Sequence, residues 1–323
     1  MKTILKFIKP TATFLVISAW PAAGQTQNAE TWSGPTFFTN GAKRAIAQQT
    51  VNNSGTVLWG DGEEIALKEG AVFNNLADGV FRVTNNGSMV YDASSAFNNF
   101  GLFEQMTGDG TTFMGNFTNH GKVNLQSGTL SFAYDYVQKD GITTLAGGEL
   151  CAWPNKISIL GGVLQGQGKI DAGNWNPGLL NCGTIIPTGL LKIHDASFAQ
   201  SSAGAITISL GGTNAGRDYG QISITRSAAL DGTLNITLAN GFLPRLGEKF
   251  QVITYGSHKG SFAAINSPQL AAALALQPTY SAKNLTLTIV EARLSSSSKQ
   301  TAARTDAKRD AKAERDKMLS YQP

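Results

Sequence analysis

Three histidines, two cysteines and a scatter of carboxylates carry most of the reactive side chains in this chain. His120, His194 and His258 lie far apart, and none has a second ligand at the short spacing a zinc site uses. No Gly-x-Ser-x-Gly elbow presents a nucleophilic serine. The glycine-rich runs sit between alternating apolar and polar residues, which makes them chain corners rather than phosphate cradles. An enzyme acting on polysaccharides would need two acids, or an acid with Lys or Arg, gathered on one outer face. The candidates are Asp135, Asp140 and Asp171, with Lys139 and Lys169. Paired carboxylates work when about 5–10 Å apart. Asp140 precedes a recurring glycine and Asp171 follows another by ten residues, so each reads best as a solvated turn residue. Trp153, Trp175, Tyr134 and Tyr136 are candidate glycan contacts that could form a sugar-stacking strip; the same aromatics could instead close off core ends. No catalytic residue, metal ligand or cofactor is assigned.

These residues must be positioned by a repeat. Gly101, Gly121, Gly141 and Gly161 recur every twenty residues, and Gly108, Gly128, Gly148 and Gly168 follow seven behind. The column four residues before the first series reads Phe97, Phe117, Val137 and Ile157. The column nine residues after it holds Gly110, Leu130, Leu150 and Ile170. Within a unit, apolar and polar residues alternate, as in Lys122-Val123-Asn124-Leu125 and Thr129-Leu130-Ser131-Phe132. That is the period of a half-buried strand. Glycine and asparagine tolerate the positive φ of tight corners. The Asn-rich corners, such as Asn74-Asn75 and Asn98-Asn99, can hydrogen-bond along a stack. The spacing therefore predicts an all-β fold, a β-solenoid of about 20 residues per turn, with its apolar columns in one shared core.

Charge narrows the partners. The net charge of +4 comes from the ends. Residues 293–323 hold eight Lys/Arg against four Asp/Glu, and without Lys2, Lys6 and Lys9 the body stands near −3. A body of that sign offers no basic face, so nucleic acid is not an expected partner. Cys151 and Cys182 fall in opposite phases of the repeat, so two buried free thiols are expected; a disulfide would require the solenoid to break between them.

Along the chain, residues 1–24 read as a signal peptide: three lysines, an apolar run from Phe14 to Trp20, then Ala22-Ala23-Gly24 for cleavage. The run is too short to span a membrane, so no transmembrane segment is expected in the mature chain. Residues 25–50 are expected to cap the first coil, residues 51–200 to form the solenoid and residues 201–292 a β-rich closing module. The segment 293–323 reads as a charged, flexible tail whose Asp306/Arg309 and Glu314/Lys317 pairs could support a solvated helix.

The C-terminal half also carries a resemblance. Gly166-Gln167-Gly168-Lys169-Ile170, Gly183-Thr184-Ile185-Ile186-Pro187, Leu210-Gly211-Gly212-Thr213, Leu230-Asp231-Gly232-Thr233-Leu234 and Phe242-Leu243-Pro244 resemble the end of autotransporter-type passenger regions. These belong to bacterial secreted proteins with β-strand repeats. The resemblance covers about 100–292 and implies a right-handed parallel β-helix at the cell surface, often adhesive. No outer-membrane barrel follows residue 292, so secretion through a barrel of its own is not expected. The expectation is an exported, non-catalytic surface or envelope protein whose partners are surface glycans or envelope polymers. A polysaccharide-acting lyase or hydrolase is the alternative.

Overall fold

Runs such as Val72-Phe73-Asn74-Asn75 and Val80-Phe81-Arg82-Val83 become four-residue strands in which every second side chain is buried. A strand this short is not stable alone; it is held by neighbours on both edges. Val72–Asn75 is followed by Val80–Val83 and Ser88–Tyr91, and together they make one coil with three faces. The next coil, Ala96–Asn99, Leu102–Gln105 and Thr111–Met114, pairs with it in parallel, face by face. The computed structural model describes residues 28–38, 43–60, 63–84, 86–106, 108, 110–173, 177–271 and 273–292. The expected signal segment, the charged tail and Trp175 lie outside the described residues. Over them the fold is an all-β solenoid without helix, of about eight turns at about 21 residues per turn.

Both ends differ from the sequence expectation. Residues 28–47 do not form a separate cap; they supply a first coil whose three strands pair in parallel with the second. Parallel stacking also continues past residue 200, through Thr233–Leu238 onto Ala264–Asn266. Only then does the chain reverse. Asn284–Glu291 pairs antiparallel with Lys249–Gly260 on one edge and Leu274–Tyr280 on the other.

At the first coil the inward positions change character. Glu30 pairs with the buried Val51 and Arg44 with the buried Ile65, so both occupy core-facing positions in the first of the described coils. Arg44 Nη2 donates to Glu30 Oε1 and Oε2 at 2.8 and 2.9 Å, and its guanidinium lies 4.6 Å above the Trp32 ring. Trp32 Nε1 donates to the same carboxylate at 2.8 Å. An inward ion pair on an edge coil resists addition of another coil, as charged edge strands do elsewhere.

Between Phe73 and Tyr136 the core is built on a pair of aromatic stacks, and beyond them it is mainly aliphatic. Phe73, Phe97, Phe117 and Tyr136 lie ring on ring, at 4.8, 5.2 and 5.8 Å, all within 16° of parallel. Phe81 and Phe103 form a second stack that meets the first edge-on. Such rings bury large apolar area, and their offset and edge contacts add to it. The first column is therefore Phe97, Phe117, Tyr136 and Ile157; Val137, expected there, faces outward beside Ser158. Register steps vary from one corner to the next: 18 residues from Thr111 to Thr129, 19 from Phe117 to Tyr136, 20 from Lys122 to Ile142, 21 from Tyr136 to Ile157. Hence Gly162, not Gly161, lies over Gly141, and Thr112 rather than Gly110 heads the Leu130, Leu150 and Ile170 column. Where coils touch at these corners only glycine fits: a Cβ on Gly121 would sit 2.2 Å from Gly101 O.

Asparagine ties the same corner internally, as the sequence suggested. Fully buried Asn53, Asn75, Asn99 and Asn119 pass a side-chain hydrogen bond up the stack at 2.8 Å per step, and Asn119 ends the series on Gln138 at 3.4 Å. Their amides also donate to Val80 O, Leu102 O and Lys122 O, which leaves few buried polar groups unpaired at the bend.

Candidate functional site

One corner of the solenoid, joining the third face of each coil to the first face of the next, gathers polar and aromatic side chains in a groove of about 540 Å³. Its loops are built locally. Asp92 Oδ1 accepts from Ser94 N, Ser94 Oγ and Ser95 Oγ, while Oδ2 accepts from Glu69 N one coil below. The Ser94 hydroxyl first, then Glu69 N–H and Ser95, hold this carboxyl well below the usual Asp range. In the coil above, Asn116 Nδ2 donates to Ala93 O and Ser95 O at 3.1 and 2.9 Å. Asn155 Nδ2 repeats the device two coils on, donating to Ala133 O at 2.7 Å. Asp135 Oδ1 accepts from Lys156 N at 3.0 Å.

The aromatic wall of this groove depends on a glycine. Gly115 lies between Tyr91 in the coil before and Tyr134 in the coil after. A Cβ on Gly115 would sit 2.7 Å from Tyr91 Cβ, so no other residue leaves room for that ring. Across the gap Tyr91 and Tyr134 meet at 5.6 Å, edge to face. Tyr134, one of the sequence candidates, lines the groove. Trp153, 58% exposed, stands on the same corner one coil further. Tyr136 does not join them. It is fully buried in the Phe117 stack, its hydroxyl 2.6 Å from Thr143 Oγ1, which donates to Gln138 Oε1. Burial holds its phenol far above the ordinary value, so it is a core residue and not a glycan contact. The reason is the 19-residue step, which turns Tyr136 inward where a 20-residue step would have placed Val137.

A second cluster lies on the outer side of the third face. Lys169 Nζ sits 2.9 Å from both Glu149 Oε1 and Asp171 Oδ2, so the two carboxylates lie within about 6 Å of each other. His194 Nδ1 reaches Asp171 at 3.3 Å. The sequence offered Asp171 and Lys169 separately; pairing Glu149 with Lys169 and Asp171 with His194 across coils brings the four together. Burial works against the charge on Lys169, but hydrogen bonds and charges from Asp171 and Glu149 outweigh it and raise the amine above its ordinary value. A lysine held protonated cannot take a proton from substrate. Cys151 pairs with Asp171 in this strip, while Cys182 lies at a different corner; both are half-buried free thiols.

The remaining candidates stay apart. His120 stacks on Phe100 at 4.9 Å, and its Nδ1 lies 2.9 Å from Asp140 Oδ1. His258 is stacked between Tyr255 and Tyr280 at the C-terminal end. Among the described residues no group of three His, Cys, Asp or Glu could hold a metal ion, and no helix is long and apolar enough to cross a membrane. No family model matches the chain, and no curated protein matches it significantly.

Proposed function

We propose that this chain is an exported, non-catalytic β-solenoid of the bacterial cell surface or envelope that holds glycans through weak contacts repeated along one corner. The observation that carries the reading is the placement of Tyr134 in the groove formed with Asn116, Asp135 and Asn155, with the exposed Trp153 on the same corner one coil further. A half-buried aromatic ring beside side-chain amides and a carboxylate suits a hydroxylated ring with one apolar face. A stiff rod with several shallow contacts gains strength through effective concentration rather than through any single site. The signal-like residues 1–24 and the resemblance to passenger regions support export and a surface location.

The enzyme reading keeps one observation in its favour. Glu149 and Asp171 stand at the separation that paired catalytic carboxylates use. Against it, Lys169 Nζ occupies the space between them and is bound to both. The two readings separate in one experiment: incubate the full chain with a panel of purified polysaccharides, and measure retention of protein and appearance of new reducing or unsaturated ends. Retention without new ends supports the binding role. Accumulating ends that disappear in Asp171→Asn would replace it with the enzyme.

A further inference from the structure

We infer that the corner groove selects a hydroxyl-rich sugar chain carrying no negative charge; this rests on the glycan-binding reading above. The amide and serine donors of the polar wall are turned inward, which leaves the hydroxyls of Thr118 and Tyr134 as the other side-chain donors of the lining. Asn116 Nδ2 is taken by Ala93 O and Ser95 O, and Asn155 Nδ2 by Ala133 O. Ser94 Oγ and Ser95 Oγ both donate to Asp92 Oδ1, at 2.7 and 2.8 Å. The same residues carry the oxygens Asn116 Oδ1, Asn155 Oδ1 and the carboxylate of Asp135. An amide oxygen and a carboxylate can only accept hydrogen bonds, whereas a hydroxyl both donates and accepts. Sugar hydroxyls match this mixture, donating to the oxygens and accepting from Thr118 and Tyr134.

Charge acts in the same direction. No Lys, Arg or His lines the groove, and its one ionised group is Asp135. Lys156 donates its backbone N–H to Asp135 Oδ1 and is not among the lining residues. A uronate, sulfate or phosphate here would face a carboxylate and amide oxygens with no cation in the lining, which disfavours it by roughly tenfold. Tyr134 supplies the platform, and Tyr91, reaching across Gly115, positions it.

The test is calorimetric titration of the full chain with two soluble series of equal length, neutral gluco-oligosaccharides and oligogalacturonates. Tyr134→Ala, Tyr134→Phe and Asp135→Asn are titrated alongside, with thermal midpoints as the folding control. The neutral series binds and the acidic series does not. Tyr134→Ala weakens binding roughly tenfold while Tyr134→Phe keeps it. Asp135→Asn admits the acidic series. Acidic binding equal to neutral in the native protein, or neutral binding untouched by Tyr134→Ala, overturns this selectivity while leaving a glycan-binding rod in place. If the native protein binds neither series nor any polysaccharide of the panel, the glycan reading itself fails.

Discussion

Replacing Asn99 by alanine tests the internal asparagine stack, and its neighbour Asn98 provides the control. Asn99 donates to Asn119 Oδ1 at 2.8 Å and to Lys122 O at 3.0 Å, and accepts from Asn75 Nδ2 at 2.8 Å, all with no solvent exposure. Three buried hydrogen bonds at about 1 kcal/mol net each give about 3 kcal/mol. Lys122 O loses this side-chain donor, whereas Asn119 Oδ1 keeps Gly121 N and Asn75 Nδ2 keeps two carbonyls. The cavity adds to the loss, so Asn99→Ala should cost about 3–5 kcal/mol. Asn98 is one residue away on the outside, where it donates to Asn74 Oδ1 at 3.0 Å beside solvent. Water replaces that bond, and Asn98→Ala should cost below about 1 kcal/mol. The assay is urea denaturation followed by far-ultraviolet circular dichroism, comparing midpoints at equal slope. Equal and small losses for the two variants would refute the claim that the buried amides hold the coils together.

Other perturbations have equally definite outcomes. Gly166→Ala should abolish soluble folding, because φ is +106° and a Cβ would sit 1.9 Å from Leu145 O; Gly70→Ala, with φ +76° but open space around it, should cost only about 1 kcal/mol by thermal melting. Glu30 is held below its ordinary value of 4.5 by the Trp32 N–H first; burial opposes this next, and the hydrogen bond and charge of Arg44 add to the lowering. Because the folded value is the lower one, its stabilisation is full above pH 4.5 and fades as pH falls through the folded value. Glu30→Gln should therefore be less stable at neutral pH and should lose less on acidification, read from melting midpoints between pH 7 and pH 3. Lys169→Met removes the amine shared by Glu149 and Asp171 and leaves Asp171 with His194 alone; with the amine one-third exposed, a loss of about 1 kcal/mol in urea is expected, and glycan binding at the Tyr134 groove should not change.

Much of the architecture was legible in the residues because alternation and glycine corners are local signals. Phe97 and Phe117, Leu130 and Leu150, and the stacked asparagines all fall where their spacing put them. Tyr136 and Gly162 did not, because corners of unequal length offset one another and keep the glycine interval near twenty while individual strands slip by one residue. A one-residue slip reverses which side chain faces the core, and nothing short of the strand pairing shows it. The first described coil was hidden for another reason: two of its inward positions are Glu30 and Arg44, which read as polar surface, although Trp32, Phe38 and Ile46 beside them are buried in the core. The groove was half legible. Tyr134 stood out by type, but Tyr91, Gly115 and Asn155 come together only because successive coils place them on one corner.

The central claim is that the ligand-bearing surface is the Tyr134 corner and not the Lys169 strip. A crystal structure of the full chain with a neutral gluco-oligosaccharide tests it most directly. Sugar density lying across Tyr134, Asn116 and Asn155 is the predicted result. Density over Glu149, Asp171 and His194, with the Tyr134 groove empty, would contradict it.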